Sequence, residues 1–161
     1  VDPVGETMLD KLVKKGKTVI SIGKVSSIFN DRSVSKQIAI KSNLDGEEKI
    51  LDQIKNNNFD GLCFANLVDF DSKYGHRNNA VGYANALNEF DKYLGEMLNY
   101  LREDDTLFIT GDHGCDPATP STDHSREYTP FLMYGKTLKP QNYGTIKGFN
   151  FIAKNVLNIL K

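Results

Sequence analysis

Apolar residues recur along this chain in two rhythms that take turns. From Thr7 to Lys15 they fall at helical spacing (Met8, Leu9, Leu12, Val13), and Gly16 stands where a helix C-cap glycine would. Thr18 to Ile22, rich in β-branched residues and bounded by Gly16 and Gly23, predicts a buried strand, after which Lys24 begins a loop. Gln37 to Lys41 is a candidate short strand. Glu47 to Lys55 places Ile50, Leu51 and Ile54 on one helical face, with Asp45-Gly46 as the break before it. Gly61 to Val68 is nearly continuously apolar, as strands covered on both faces of a parallel sheet are, and it runs into Asp69-Phe70-Asp71.

The strongest periodicity lies between Asn79 and Leu101. There Val81, Ala84, Leu87, Phe90, Leu94, Met97, Leu98 and Leu101 keep the three-and-four spacing over about six turns. Leu107 to Thr110 predicts another buried strand, and Gly111 opens a loop full of aspartate and histidine. Tyr128 to Tyr134 predicts a strand whose start is marked by Pro130, and Phe149 to Leu160 an amphipathic closing helix. No internal repeat or low-complexity tract interrupts this order. The alternation predicts an α/β fold, a mostly parallel sheet with helices on both faces.

Composition narrows the functions open to such a fold. A length of 161 residues with 39% hydrophobic content suits one soluble domain. Lysine plus arginine (20) nearly balances aspartate plus glutamate (21), so no basic field is present to hold nucleic acid. No apolar run approaches the roughly 20 residues of a membrane helix, and Val1 to Gly5 has neither part of a secretory leader. The two cysteines, Cys63 and Cys115, lack any CxxC spacing and suit a reducing compartment. A cytoplasmic protein acting on a small molecule is the expectation.

Candidate chemistry gathers where α/β sheets place it, outside the carboxyl ends of strands. Asp71 and His76 follow one predicted strand, with Gly75 between them to let the loop fold back. Asp112 and His113 follow the next, and His124 lies on the same long loop. All three histidines of the chain thus sit in two loops, each with an aspartate nearby. Carboxylates mixed with imidazoles suit manganese, zinc or iron better than calcium, and no thiolate set points to a structural zinc cage. Asp71, His76, Asp112, His113 and His124 are therefore candidate ligands of a divalent metal. Asp69, Asp116 and Asp123 are candidates to orient the imidazoles from behind. Cys115 is read as a spacer. Asp45, Asp60, Asp104 and Asp105 are read as turn and cap residues, and Lys14, Lys15 and Lys17 as a solvated helix end.

Three phrases also carry a family resemblance: Val68-Asp69-Phe70-Asp71 with Tyr74-Gly75-His76-Arg77, Gly111 to Pro117, and Thr122 to Glu127. Together with Ser21 to Val25 and Lys41 to Gly46 upstream, they closely resemble the phosphopentomutase family of the alkaline phosphatase superfamily, over almost the whole chain. The resemblance implies an alkaline-phosphatase-like core and two Mn2+ ions, other divalent metals being possible. Asp71, His76 and His124 would hold one ion, and Asp112 and His113 would share the other with groups outside these residues. It implies an isomerase that interconverts ribose or deoxyribose 1-phosphate and 5-phosphate through a phosphothreonine and a bisphosphate intermediate. Lys24, Arg77 and Arg126 are then candidates for binding substrate phosphate. No residue matches the family's nucleophilic threonine, so residues 1–161 are expected to be the C-terminal half of the catalytic core. The N-terminal core segment, as partner, and the cap domain would lie elsewhere. The rivals are another metal-dependent phosphatase or phosphoglycerate mutase of the same superfamily, and a non-catalytic metal-binding half-domain.

Overall fold

The computed structural model describes residues 2–56 and 58–161; Val1, first residue of the stretch weighed above as a leader, lies outside them. The chain divides into two compact units, one of residues 1–40, 56–66 and 140–161, the other of residues 41–55 and 67–139.

In the first unit, helix α1 (Met8–Lys14) starts at a capping box. Thr7 Oγ1 accepts from Asp10 N while Asp10 Oδ2 accepts from Thr7 N. It stops before Gly16, which takes φ +76. Leu9 and Leu12 are fully buried. Strand β1 (Thr18–Ile22) is the centre of a three-stranded parallel sheet, between β2 (Lys36–Ile38) and β3 (Gly61–Ala65). Gly61 enters β3 at φ +155 so close to the Thr18 backbone that any Cβ would collide with it. Where Lys24 was expected to begin a loop, a short helix α2 (Val25–Ile28) forms instead. It is anchored by the buried Val25 and by Ser26 N donating to Ser21 Oγ. Helix α5 (Asn150–Ile159) packs against α1.

Asp10 does more than cap. Its nearly buried carboxylate accepts from Ser33 Oγ (2.6 Å) and from Arg32 Nε and Nη2 (2.9 and 2.8 Å) as well as from Thr7. These donors, Ser33 first, hold the carboxyl well below the usual carboxylate range. Lys17, expected as part of a solvated helix end, is instead mostly covered and paired with Asp60 at 2.7 Å.

The second unit contains most of α3 (Asn43–Asn56), which begins four residues before the expected Glu47. Asp45-Gly46, expected as a break, is its first turn. Ser42 Oγ accepts from Asp45 N, and Asp45 Oδ2 accepts from Lys41 N, so the aspartate starts the helix rather than interrupting it. Helix α4 (Ala80–Tyr100) opens with Asn79 Oδ1 accepting from Gly82 N. Its apolar stripe is covered only in part. Ala86 and Met97 are buried, whereas Val81 and Leu87 are 73% and 50% exposed. Strand β4 (Leu107–Thr110) pairs antiparallel with β5 (Phe131–Tyr134) in a separate two-stranded sheet. β5 starts later than expected because Pro130, which has no N–H to give the ladder, ends the irregular segment; its carbonyl accepts from Thr110 Oγ1. The fold is α/β, with a parallel sheet and this one antiparallel pair. No helix among the described residues is long and apolar enough to cross a membrane.

Candidate metal centre

The second unit brings four of the five predicted ligands around one oxygen. After Asp69 the backbone makes a π-helical turn (Phe70–Tyr74) and then a 3-10 turn (Gly75–Arg77), closed by Asn78 in the left-handed region at φ +48. The single wide turn places Asp71 Oδ1 3.2 Å from His76 Nε2, 3.1 Å from His124 Nε2 and 3.8 Å from His113 Nε2. Asp71, His113 and His124 form the compact set, their ligand atoms all within 4.8 Å of one another. The His113 and His124 rings stack with centroids 3.5 Å apart. Asp112 stands apart, 72% exposed and 3.6 Å from His113 Nε2 alone. His113 Nε2 thus lies between the Asp71 and Asp112 carboxylates, 3.8 and 3.6 Å from them.

Two glycines make this convergence possible. Gly75 has ordinary helical dihedrals (φ −59), so it does not serve as the flexible fold-back point expected from sequence. It matters for lack of a side chain, since a Cβ there would run into Cys115 Sγ. Cys115 is accordingly a packing residue, and burial together with the nearby Asp71 carboxylate pushes its thiol pKa up. Gly114 is the more consequential glycine. It bridges Ser125, whose N donates to Gly114 O at 3.0 Å, and a Cβ on Gly114 would meet Ser125 O at 2.6 Å and Glu127 O at 2.7 Å. That close crossing sets the Asp112-His113 segment beside His124. Nothing in the sequence marks Gly114 for this role beyond its position directly after Asp112-His113.

The imidazoles of His76 and His113 are oriented by backbone, not by the expected carboxylates. His76 Nδ1 donates to Thr122 O at 2.5 Å and His113 Nδ1 to Gly114 O at 3.1 Å. Asp69 is engaged with Lys73 and Asn43, and Asp116 accepts from Ala118 N. A carbonyl can only accept, so each of these rings carries its hydrogen on Nδ1, and in a neutral ring Nε2 is then a bare lone pair. Lone pairs and a carboxylate oxygen converging within 3.8 Å repel unless a cation or proton lies among them. The donor set fits a divalent metal, with imidazole orientation fixed as in metal sites generally.

The predicted phosphate-binding residues are placed less tightly. Arg77 is exposed and donates through Nη1 to its neighbour's carbonyl, His76 O. Arg126 is exposed two residues beyond His124. Lys24 belongs to the other unit, at the N-cap of α2.

Residues 9–161 match the family model of the metalloenzyme superfamily. A phosphopentomutase of Acetivibrio thermocellus is 51% identical over 159 residues, which are 98% of this chain and 41% of that protein. One of Thermotoga maritima is 52% identical over 147 residues, 91% of this chain and 38% of the relative. The chain thus spans about two fifths of the length of the curated relatives it matches. Among solved structures, the PH0037 protein from Pyrococcus horikoshii superposes with a TM-score of 0.62 at 18% identity, covering 80% of this chain and 40% of that one. At that identity the likeness concerns the fold alone.

Proposed function

This chain belongs to the metalloenzyme superfamily, and on that footing we propose that it is the C-terminal half of the catalytic core of a cytoplasmic phosphopentomutase. The whole enzyme would interconvert ribose or deoxyribose 1-phosphate and 5-phosphate through a phosphothreonine and a bisphosphate. The observation that carries this is the meeting of Asp71, His76, His113 and His124, with the lone pairs of His76 and His113 turned inward. Asp71, His76 and His124 would hold one Mn2+, and Asp112 and His113 would contribute to the other. Two divalent ions supply Lewis-acid stabilisation of both oxygens in an in-line phosphoryl displacement. Arg77 and Arg126 would bind phosphate oxygens of the pentose phosphate. The nucleophilic threonine and the remaining ligands would come from an N-terminal core segment outside these residues. The greater length of the relatives and the uncovered apolar face of α4 support this.

Two measurements test the proposal. His124→Ala is expected to remove one Mn2+ equivalent from the full-length protein, read by metal analysis after gel filtration; unchanged stoichiometry would refute the ligand assignment. The 161-residue chain by itself is expected to show no turnover of ribose 5-phosphate, because no threonine in it matches the family nucleophile. Conversion above background by the purified chain would place the nucleophile within it.

A further inference from the structure

On helix α3 the carboxyl group of Glu47 is 0% exposed, yet neither of its oxygens has a hydrogen-bond partner. One turn earlier on the same helix, Asn43 Nδ2 is in the same condition. Residues four apart lie one above the other on a helix, so an unpaired donor and an unpaired acceptor share one buried strip. Leaving both unsatisfied would be costly, and satisfying them with each other is not.

The rest of Asn43 is already committed, and what it holds leads to the metal centre. Its backbone N donates to Asp69 Oδ2 and its Oδ1 accepts from Asp69 N, both at 2.9 Å. Lys73 Nζ pairs with the same Asp69 oxygen at 2.8 Å. The clamp therefore fixes Asp69, which precedes the wide turn that presents Asp71, and through it Lys73 inside that turn.

We propose that Glu47 accepts the Asn43 Nδ2 hydrogen through one buried water, and is a positioning residue for the metal centre, acting through Asn43 and Asp69 on Asp71. Burial first, then Glu89 on α4 and Asp69 beside it, pushes the Glu47 carboxyl up to about 7, so near neutrality much of it is uncharged. An uncharged acid still offers its carbonyl oxygen to the amide without setting a second charge against Asp69. A buried water is the ordinary means of closing a gap between two such groups. This role presupposes the metal-binding function proposed above, and the experiment separates the two.

The test compares Mn2+ affinity and thermal midpoint in the full-length protein. Glu47→Leu and Glu47→Met remove the buried carboxyl at similar volume, so the thermal midpoint should hold or rise while Mn2+ affinity falls about tenfold, the range for groups behind a ligand shell. Glu47→Gln keeps a carbonyl acceptor and should bind as the wild type does. Combined with Asn43→Ala, Glu47→Leu should cost no more than Asn43→Ala alone, since both cut one chain. A residue with a merely structural role would move stability and affinity together. Wild-type affinity in the Leu and Met variants, a Gln variant as weak as they are, or additive losses in the double variant would each overturn the proposal. If the metal-binding function itself is wrong, His124→Ala will leave Mn2+ binding intact whatever stands at position 47.

Discussion

Asp71→Asn is expected to empty the metal centre, lowering Mn2+ affinity by more than about 100-fold, beyond the range for groups outside the ligand shell. The expectation follows from the uneven sharing of one oxygen. Asp71 Oδ1 is the atom onto which His76, His113 and His124 all turn their Nε2 atoms, at 3.2, 3.8 and 3.1 Å. Asparagine keeps the shape but removes the charge, and without it the imidazoles of His76 and His124 must attract their dication alone. Asp112 is a contrasting control. It lies near one imidazole only and is largely exposed, so Asp112→Asn should cost at most one metal equivalent. Metal analysis and calorimetric titration of the two variants in parallel would decide. Retention of both equivalents by Asp71→Asn would show that the ions bind elsewhere.

That the centre could be found in sequence at all follows from how it is built. Its candidate ligands are histidines and aspartates of two strand-end loops, so residue type and neighbourhood pointed to Asp71, His76, His113 and His124, which the fold brings together, and to Asp112, which stands apart. Helices and strands with a single strong rhythm were equally open, as β1, α4 and β4 show. Three features were not, each because a contact that leaves no periodic pattern in the sequence decides it. The short helix α2 depends on Ser26 meeting Ser21 and on burial of Val25, neither of which leaves a period in four residues. The start of α3 was misplaced because Asp and Gly signal a turn as readily as a first helical turn, and only the bonds from Asp45 N to Ser42 and from Lys41 N to Asp45 distinguish them. The carboxylates expected behind the imidazoles proved to be carbonyls of Thr122 and Gly114, and main-chain acceptors carry no residue signature. Glu47 was hidden for the same kind of reason. In a helix rich in Glu and Lys it looks like a solvent-facing charge, and only the packed fold shows that it is enclosed.

That enclosed carboxyl makes stability itself depend on pH, in a direction opposite to that of most carboxylates. A glutamate ordinarily titrates near 4.5, and Glu47 in the fold is pushed up to about 7, by burial first and then by Glu89 and Asp69. The native state therefore holds the Glu47 proton more tightly than the unfolded chain does. Below about 4.5 the group is neutral in both states and costs nothing. Between about 4.5 and about 7 the unfolded chain ionises first and gains, so stability falls as pH rises; above about 7 both states are ionised and the loss is constant. A separation from 4.5 to about 7 corresponds to on the order of 3 kcal/mol. Glu47→Gln has no such proton to lose. Urea unfolding of the two proteins in chelator, compared at steps from pH 4 to pH 8, should show a stability difference that is flat at the acid end, grows in favour of glutamine through this window and levels off above it. Asp10 works in the opposite sense, since donors that depress its pKa make it stabilising above the usual carboxylate range and lost as the solution turns strongly acid. It is common to both proteins and cancels in the comparison. A difference that stays constant across the window would mean that Glu47 is as well solvated in the native state as in the unfolded chain.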